Sequence, residues 1–391
     1  MEFAKRLDQI TPSMTLAMNT RAQELRAAGI DVLGLAAGEP DFPTPGHIRR
    51  AAIRAIEDNF TRYTPVAGIP ELRKAAGRYF ERHYQTPVPA ESILMGAGGK
   101  NCIYTFMQTL LNPGDEVLIP SPYWVSYPDM ARLAGAVPVP VPAGPGTSFK
   151  VSAPMLEAKT TDKTRLLVLN SPCNPTGAVY SDREFTQIMR WALARNIFVL
   201  SDEIYDQLVY PPAQMTSAIT WFAHCPELVA VANGLSKSFA MTGWRVGFLA
   251  GHPDLIKKMS MLQGHSLSNI CSIAQKAALA ALDGPDDCLR EMRHAFERRR
   301  NLAMDIISGW SRAICPQPEG AFYLFVDVSG YYGDKIANSL EFCQYLLESA
   351  HVATVPGAAF DNDACFRISY ATDDETLKNA LERIGQALAK L

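Results

Sequence analysis

Between about residues 92 and 252 the chain repeats one hydrophobic pattern, a short apolar run, then a loop rich in Gly, Pro, Asn or Asp, then a stretch of helical period. SILMGA (92–97) precedes NCIYTFMQTLL, EVLIP (116–120) precedes PDMARLAG, and LLVLN (166–170) precedes DREFTQIMRWALARN. IFVLSD (197–202), LVAVANG (228–234) and VGFLAG (246–251) continue the series. Uninterrupted β-rich runs without polar alternation mark strands buried on both faces, so this region predicts an α/β domain with a mostly parallel sheet between helices. After Asp283-Gly284-Pro285 the texture changes. A long charged helix (DDCLREMRHAFERRRNLAMDIISGW), a strand (GAFYLFVDV) and two helices near 339–350 and 373–390 predict a smaller α+β unit. The first forty residues carry one helix (TRAQELRAAG) and too little apolar surface to stand alone.

Length supports this division, since 391 residues exceed the roughly 250–300 at which a single core stops growing. The expected boundaries are 44–284 for a large domain and 1–43 with 285–391 for a small domain built from both ends of the chain. A formal charge of −3 argues against nucleic acid or an anionic membrane as the main partner and leaves a small molecule as the expected ligand. The eight scattered cysteines form no C-x-x-C pair, so neither a disulfide framework nor a zinc site is expected, and a reducing cytoplasm fits. No signal peptide or membrane span is expected from MEFAKRLDQITP or from any apolar run.

Ligands of open parallel sheets bind beyond the carboxyl ends of the strands. Four such ends carry unusual residues: Gly98-Gly99-Lys100, Ser171 to Gly177 (SPCNPTG), Asp202-Glu203-Ile204-Tyr205, and Ser236-Lys237. GAGGKN is not a Walker loop, because Leu94 and Asn101 stand where Gly and Ser or Thr are required, but two glycines opening a helix still offer amides to a phosphate. Taken singly, Asp202 reads as a helix cap and Lys237 as a solvated amine. Gathered in one cleft, an amine, an acid, hydrogen-bond donors and an anion cradle meet the requirements of pyridoxal 5'-phosphate. The seven histidines lack metal-ligand spacing, and the Arg298-Arg299-Arg300 run reads as a solvated helix face or an interdomain contact.

Eight segments carry a resemblance: AGEPDFxTP (37–45), TRYTPxAGIPELR (61–73), SPYWVSYP (121–128), NSPxNPTG (170–177), SDEIY (201–205), SKxFAMTGWRxG (236–247), PEGAFY (318–323) and RISYAT (367–372). Together they resemble fold-type I aminotransferases, above all the bacterial and plastid aspartate/prephenate branch, almost end to end. The resemblance implies that fold, with a seven-stranded type of sheet. It implies that Lys237 bonds the cofactor covalently and later moves the substrate proton, that Asp202 keeps the pyridine nitrogen protonated, and that Tyr205 and Asn174 hold the phenolic oxygen. Trp124 would stack on the ring; Gly99 and Lys100 (through backbone amides), Ser236 and Arg245 would surround the phosphate, with Tyr63 arriving from the neighbouring subunit of a homodimer. Arg367 and Gly38 would take the substrate α-carboxylate, and Lys100 with Ser13 and Thr15 the distal one. The implied reaction exchanges amino groups between aspartate and 2-oxoglutarate, with prephenate as a further acceptor. An aromatic or alanine-type aminotransferase, or a cysteine-conjugate β-lyase, is the alternative. Asn101, Cys102 and Cys173 depart from the branch's usual residues and are expected to line or support the pocket.

Overall fold

A computed structural model describes residues 1–10 and 14–391, with the side chains of 1–10 and 20–391. Among the described residues twelve strands follow one another: β1 (Leu33–Gly34), β2 (Ile93–Gly96), β3 (Glu116–Ser121), β4 (Val137–Pro142), β5 (Thr164–Asn170), β6 (Phe198–Asp202), β7 (Val229–Gly234), β8 (Gly247–Ala250), β9 (Tyr323–Asp327), β10 (Val352–Ala353), β11 (Val355–Pro356) and β12 (Cys365–Ser369). Seven of them form one sheet in the order β2-β8-β7-β6-β5-β3-β4. All its pairings are parallel except those of β8, which runs antiparallel to both β2 and β7. The apolar runs explain the centre: every residue of β6 and β7 is buried, and helices such as Gly99–Leu110 and Asp182–Ala194 cover the two faces. Ser181 and Glu184 start the latter helix with a reciprocal capping box.

Strand β4 is absent from the hydrophobic pattern because its sequence is VPVPVP. In a parallel edge strand alternate residues face the neighbour. The amides of Val137 and Ala143 donate to Asp115 and Ser121 on the β3 side, so Pro138, Pro140 and Pro142 fall on the outer side, where no amide is needed.

Residues from both ends of the chain share a second core. Ala22, Val32 and Leu35 pack with Phe296, Phe322, Leu346, Ile368, Leu377 and Ile384 around the antiparallel sheet β11-β12-β9, and β1 pairs in parallel with β10. The arginine run does not form a solvated face. Successive helical residues point about 100° apart, so three in a row cannot share one side. Arg298 is exposed and pairs with Asp374, whereas Arg299 is buried, donates to both Asp41 oxygens at 2.8 Å and lies over Phe42 and Phe296. Arg300 is buried over Tyr210 and donates to the Pro318 carbonyl. Among the described residues no helix is long and apolar enough to cross a membrane.

Candidate active site

The chain leaves β3 toward β4 on one side and β5 toward β6 on the other. The crevice this reversal opens at the strand ends is where an α/β sheet holds its ligand. A cleft of about 550 Å³ lies there, and it brings together Gly38, Gly99, Lys100, Trp124, Asn174, Asp202, Tyr205, Ser236, Lys237, Arg245 and Arg367. Four cations (Lys100, Lys237, Arg245, Arg367) face two carboxylates (Glu39, Asp202), so the cleft favours an anion. Tyr63 does not line it and is 91% exposed. Ser13 and the side chain of Thr15 lie outside the described residues. Asn101, Cys102 and Cys173 are not in the lining either. Asn101 accepts from the Ala97 amide, Cys102 is packed behind the loop in the apolar core, and the half-buried Cys173 thiol approaches the Pro122 carbonyl. They shape the walls from behind.

At the bottom, Asp202 ends β6 and is buried. Its carboxylate accepts from the Tyr127 hydroxyl at 2.6 Å and the Ile204 amide at 3.2 Å. Burial raises its pKa to about 6, against the pull of those donors and of Lys237. Lys237 follows β7 on the short helix Leu235–Ser238 and is half-buried rather than solvated. Its amine donates to the Gly38 carbonyl, and burial lowers its pKa to about 8, with Glu39 opposing the shift and Arg367 and Arg245 reinforcing it. An amine near neutrality at pH 8 is a nucleophile, which is the state that bonding to an aldehyde requires.

The phosphate end is built by backbone. Gly98 caps the helix Gly99–Leu110 at φ 88°, a conformation costly for any residue with a Cβ, and a side chain there would meet the Arg245 guanidinium at 2.7 Å. The amides of Gly99 and Lys100 have no partner among the described residues and lie at the positive end of the helix dipole. Arg245, itself left-handed at φ 57°, is fixed by the carbonyls of Thr242 and Ala97.

Arg367 projects from β12 and is buried. It donates to Asn174 Oδ1 at 2.9 Å and the Ala36 carbonyl at 3.0 Å, and it lies over Tyr323 and Phe360 at 4.4 and 4.9 Å. Its Nε is buried without a partner, a donor waiting for an acceptor. Burial holds its pKa below the ordinary value, though a guanidinium stays charged in proteins. Accepting from Arg367 leaves Asn174 Nδ2 available as a donor, and the Tyr205 hydroxyl of the same cleft shares a 2.9 Å hydrogen bond with Tyr323. A Cβ on Gly38 would come within 3.2 Å of the same Tyr323 hydroxyl, so glycine keeps that approach open. Lys100 extends over Trp124 at 4.8 Å from the ring centre, and both burial and Arg245 lower its pKa.

Sequence reasoning gave no role to Tyr127, Tyr323 or Asn170. Tyr127 stands three residues after Trp124 in SPYWVSYP, in the first turn of the helix Ser126–Leu133, and its ring meets Trp124 edge-on at 5.2 Å. Asn170 orients the next loop, donating to the Asp202 carbonyl and accepting from the Asn174 amide.

These features fit pyridoxal phosphate on grounds independent of the motifs. Free amides beside an arginine suit a dianion, a depressed lysine suits an aldehyde, and a buried acid of raised pKa suits a protonated ring nitrogen that restores its charge.

Comparisons with known proteins agree. The family model described as aminotransferase class I and II matches residues 30–384. The chain is 45% identical to the aspartate/prephenate aminotransferase of Cereibacter sphaeroides and 44% identical to an aspartate aminotransferase of a Bacillus species, in each case over 98% of both chains. The aspartate aminotransferase structure from Rhizobium meliloti covers 100% of both chains with a TM-score of 0.95 at 39% identity. That of Thermus thermophilus with maleate covers 99% of this chain and 100% of its own, with a TM-score of 0.93 at 38% identity. The chain therefore belongs to the class I and II aminotransferases, the pyridoxal-phosphate enzymes that move amino groups between amino and keto acids.

Proposed function

We propose that the enzyme exchanges the amino group between aspartate and 2-oxoglutarate and accepts prephenate as a second keto acid. The observation that carries this reading is a pair of further cations in the Lys237 cleft, Arg367 and, over Trp124, Lys100. A dicarboxylic substrate needs both. The names of the Cereibacter and Bacillus relatives and the maleate complex of the Thermus enzyme point the same way.

In this reading Lys237 would bond the cofactor through its amine and would carry the proton away from and back to the substrate α-carbon. Asp202, held by Tyr127, would pair with the ring nitrogen; Tyr205 and Asn174 would donate to the phenolic oxygen; Trp124 would cover the ring. The Gly99 and Lys100 amides, Ser236 and Arg245 would hold the phosphate. Arg367 grips the α-carboxylate as a planar fork beside Gly38, and the Lys100 ammonium takes the distal carboxylate, with Ser13 and Thr15 assisting. When bound, the cofactor supplies an electron sink for the pair left on the α-carbon.

The reading includes a homodimer. Exposed Tyr63 would reach the partner's phosphate site, and Ile53 and Ile56, more than half exposed on helix Gly46–Glu57, supply apolar surface for such a contact. It also includes the division at residues 44 and 284, which puts Arg367 on one body and Lys237 on the other, and a cytoplasmic location, consistent with eight unpaired cysteines.

The test is the visible spectrum of protein reconstituted with pyridoxal phosphate while donors are added one at a time. Loss of the cofactor band with aspartate and with glutamate supports the reading. A wild-type protein without that band, indistinguishable from Lys237→Ala, refutes it. Rates with 2-oxoglutarate, oxaloacetate and prephenate then rank the acceptors.

A further inference from the structure

Behind the cleft lies a buried polar cluster that the chemistry above does not use. Asp206 sits one residue beyond Tyr205 in the turn after β6 and is 4% exposed. One of its oxygens, Oδ2, accepts from four donors: Tyr79 Oη at 2.5 Å, Tyr84 Oη at 2.8 Å, Asn233 Nδ2 at 3.0 Å and Gln207 Nε2 at 3.3 Å. Its other oxygen is buried without a partner. The donors come from three separate elements. Tyr79 and Tyr84 are on helix Pro70–Tyr84, Gln207 is on the Asp206 turn itself, and Asn233 is in β7. Asn233 also accepts from the Gly234 amide, so the amide that joins Asp206 is fixed to the backbone three residues before Lys237.

Strands β6 and β7 pair only as far as Asp202 and Ala232, with the Glu203 amide adding one bond to the Ala232 carbonyl. Beyond that point the acid-bearing turn and the lysine-bearing turn separate, and the Asp206–Asn233 contact spans them. We propose that Asp206 is a positioning residue for the transamination site, locking the Asp202–Tyr205 turn to the Lys237 turn through Asn233, with Tyr79 and Tyr84 anchoring it to the helix. It touches neither cofactor nor substrate. Its effect is on the relative placement of acid, phenol and amine, and errors of about 1 Å in such a placement cost up to ~100-fold in rate.

This inference rests on the reading of the Lys237 cleft as the cofactor site. The reconstituted wild type, Asp206→Ala, Asp206→Asn and Asn233→Ala proteins are compared by the pH titration of the visible cofactor band, by kcat and KM with aspartate, and by thermal melting. Charged and titratable groups facing the cluster are Tyr79, His83 and Tyr84 on the helix and Glu203 on the turn; those facing Lys237 are Glu39, Asp202, Arg245 and Arg367.

Asp206→Ala is expected to move the band's titration midpoint by at least half a pH unit and to lower kcat at least about tenfold, with KM within twofold. Asp206→Asn keeps an acceptor oxygen in place and puts its NH2 where no partner stood, so it is expected to restore both readouts. Asn233→Ala leaves the tyrosine anchors intact and is expected to shift the midpoint in the same direction, which provides the test if Asp206→Ala does not fold. The proposal is overturned if either alanine variant melts earlier but titrates and turns over like wild type, or if Asp206→Asn is as impaired as Asp206→Ala. It falls together with the cofactor reading if wild-type protein itself forms no visible band.

Discussion

Asp202→Asn should make the cofactor-free protein more stable while destroying its activity. Burial raises the Asp202 carboxyl from its ordinary 3.8 to about 6, so the folded protein carries an ionised group that the unfolded chain accommodates more easily. A shift of about two units corresponds to ~3 kcal/mol of destabilisation at neutral pH. The sign follows from proton binding. Between about pH 4 and 6 the folded state holds a proton that the unfolded state has released, so this group's penalty is absent below pH 4, grows through the interval and is complete above pH 6. An amide has no such dependence and retains an oxygen for the Tyr127 hydroxyl. For 391 residues the unfolding entropy is roughly 0.8 kcal/mol per kelvin, so the variant should melt roughly 3–4 °C above wild type at pH 7.5. Calorimetry of both apo-proteins between pH 4 and 8 checks this. The gap should close toward pH 4, and it should shrink or reverse once pyridoxal phosphate is bound, because a ring cation then offsets the wild-type charge. A wild type as stable as the variant at pH 7.5, or a gap that does not change with pH, would refute the reasoning.

Lys100→Ala should lose about 10- to 100-fold in kcat/KM on aspartate and 2-oxoglutarate, the worth of one charge-assisted hydrogen bond of ~1.5–3 kcal/mol, and much less on alanine. Equal losses on both classes would remove Lys100 from the distal-carboxylate role and favour a monocarboxylate enzyme. Arg367→Lys keeps the charge but not the fork, and it should lower kcat/KM by about 100-fold on every amino acid tested. A variant within fivefold of wild type would mean the α-carboxylate binds elsewhere. Capture of pyridoxal phosphate by apo-protein should accelerate with pH with a midpoint near 8, since Lys237 must be unprotonated to attack; a midpoint near its ordinary 10.5 would show that burial does not tune it. Tyr127→Phe removes a donor that holds the Asp202 pKa down, so acid-induced release of the cofactor should begin at higher pH than in wild type.

Most of the sheet was legible because strands buried on both faces cannot afford polar alternation, and the five runs behind β3 and β5 to β8 are apolar nearly throughout. Strand β4 escaped because proline normally argues against a strand, and its compatibility with an outer edge depends on a register that no local pattern reveals. The site residues Lys237, Asp202 and Arg367 were legible through the motifs that carry the resemblance rather than singly, since alone Lys237 reads as a solvated amine and Asp202 as a helix cap, and the structure gathers all three in one cleft. What supports them was not. Tyr127 and Tyr323 look like ordinary core aromatics in sequence, and their roles come from hydroxyls that meet Asp202 and Tyr205 only after distant segments pack. Arg299 was misread for a similar reason, since Asp41, more than 250 residues away, is what makes a buried arginine tolerable.

The proline edge has a bearing on how copies of the chain can associate. A strand with unpaired backbone on its outer side invites another chain to extend the sheet. Here the outer side of β4 offers proline where a donor would be. At the far edge, the outward groups of β2 are already engaged: Met95 donates to the Ala67 carbonyl, Gln263 donates to the Met95 carbonyl, and Arg73 donates to the Ile93 carbonyl. Both margins are thus closed to strand addition, which protects a crowded chain against edge-to-edge aggregation. Any association between copies then falls to side-chain surfaces, where recognition depends on shape rather than on a repeating backbone ladder.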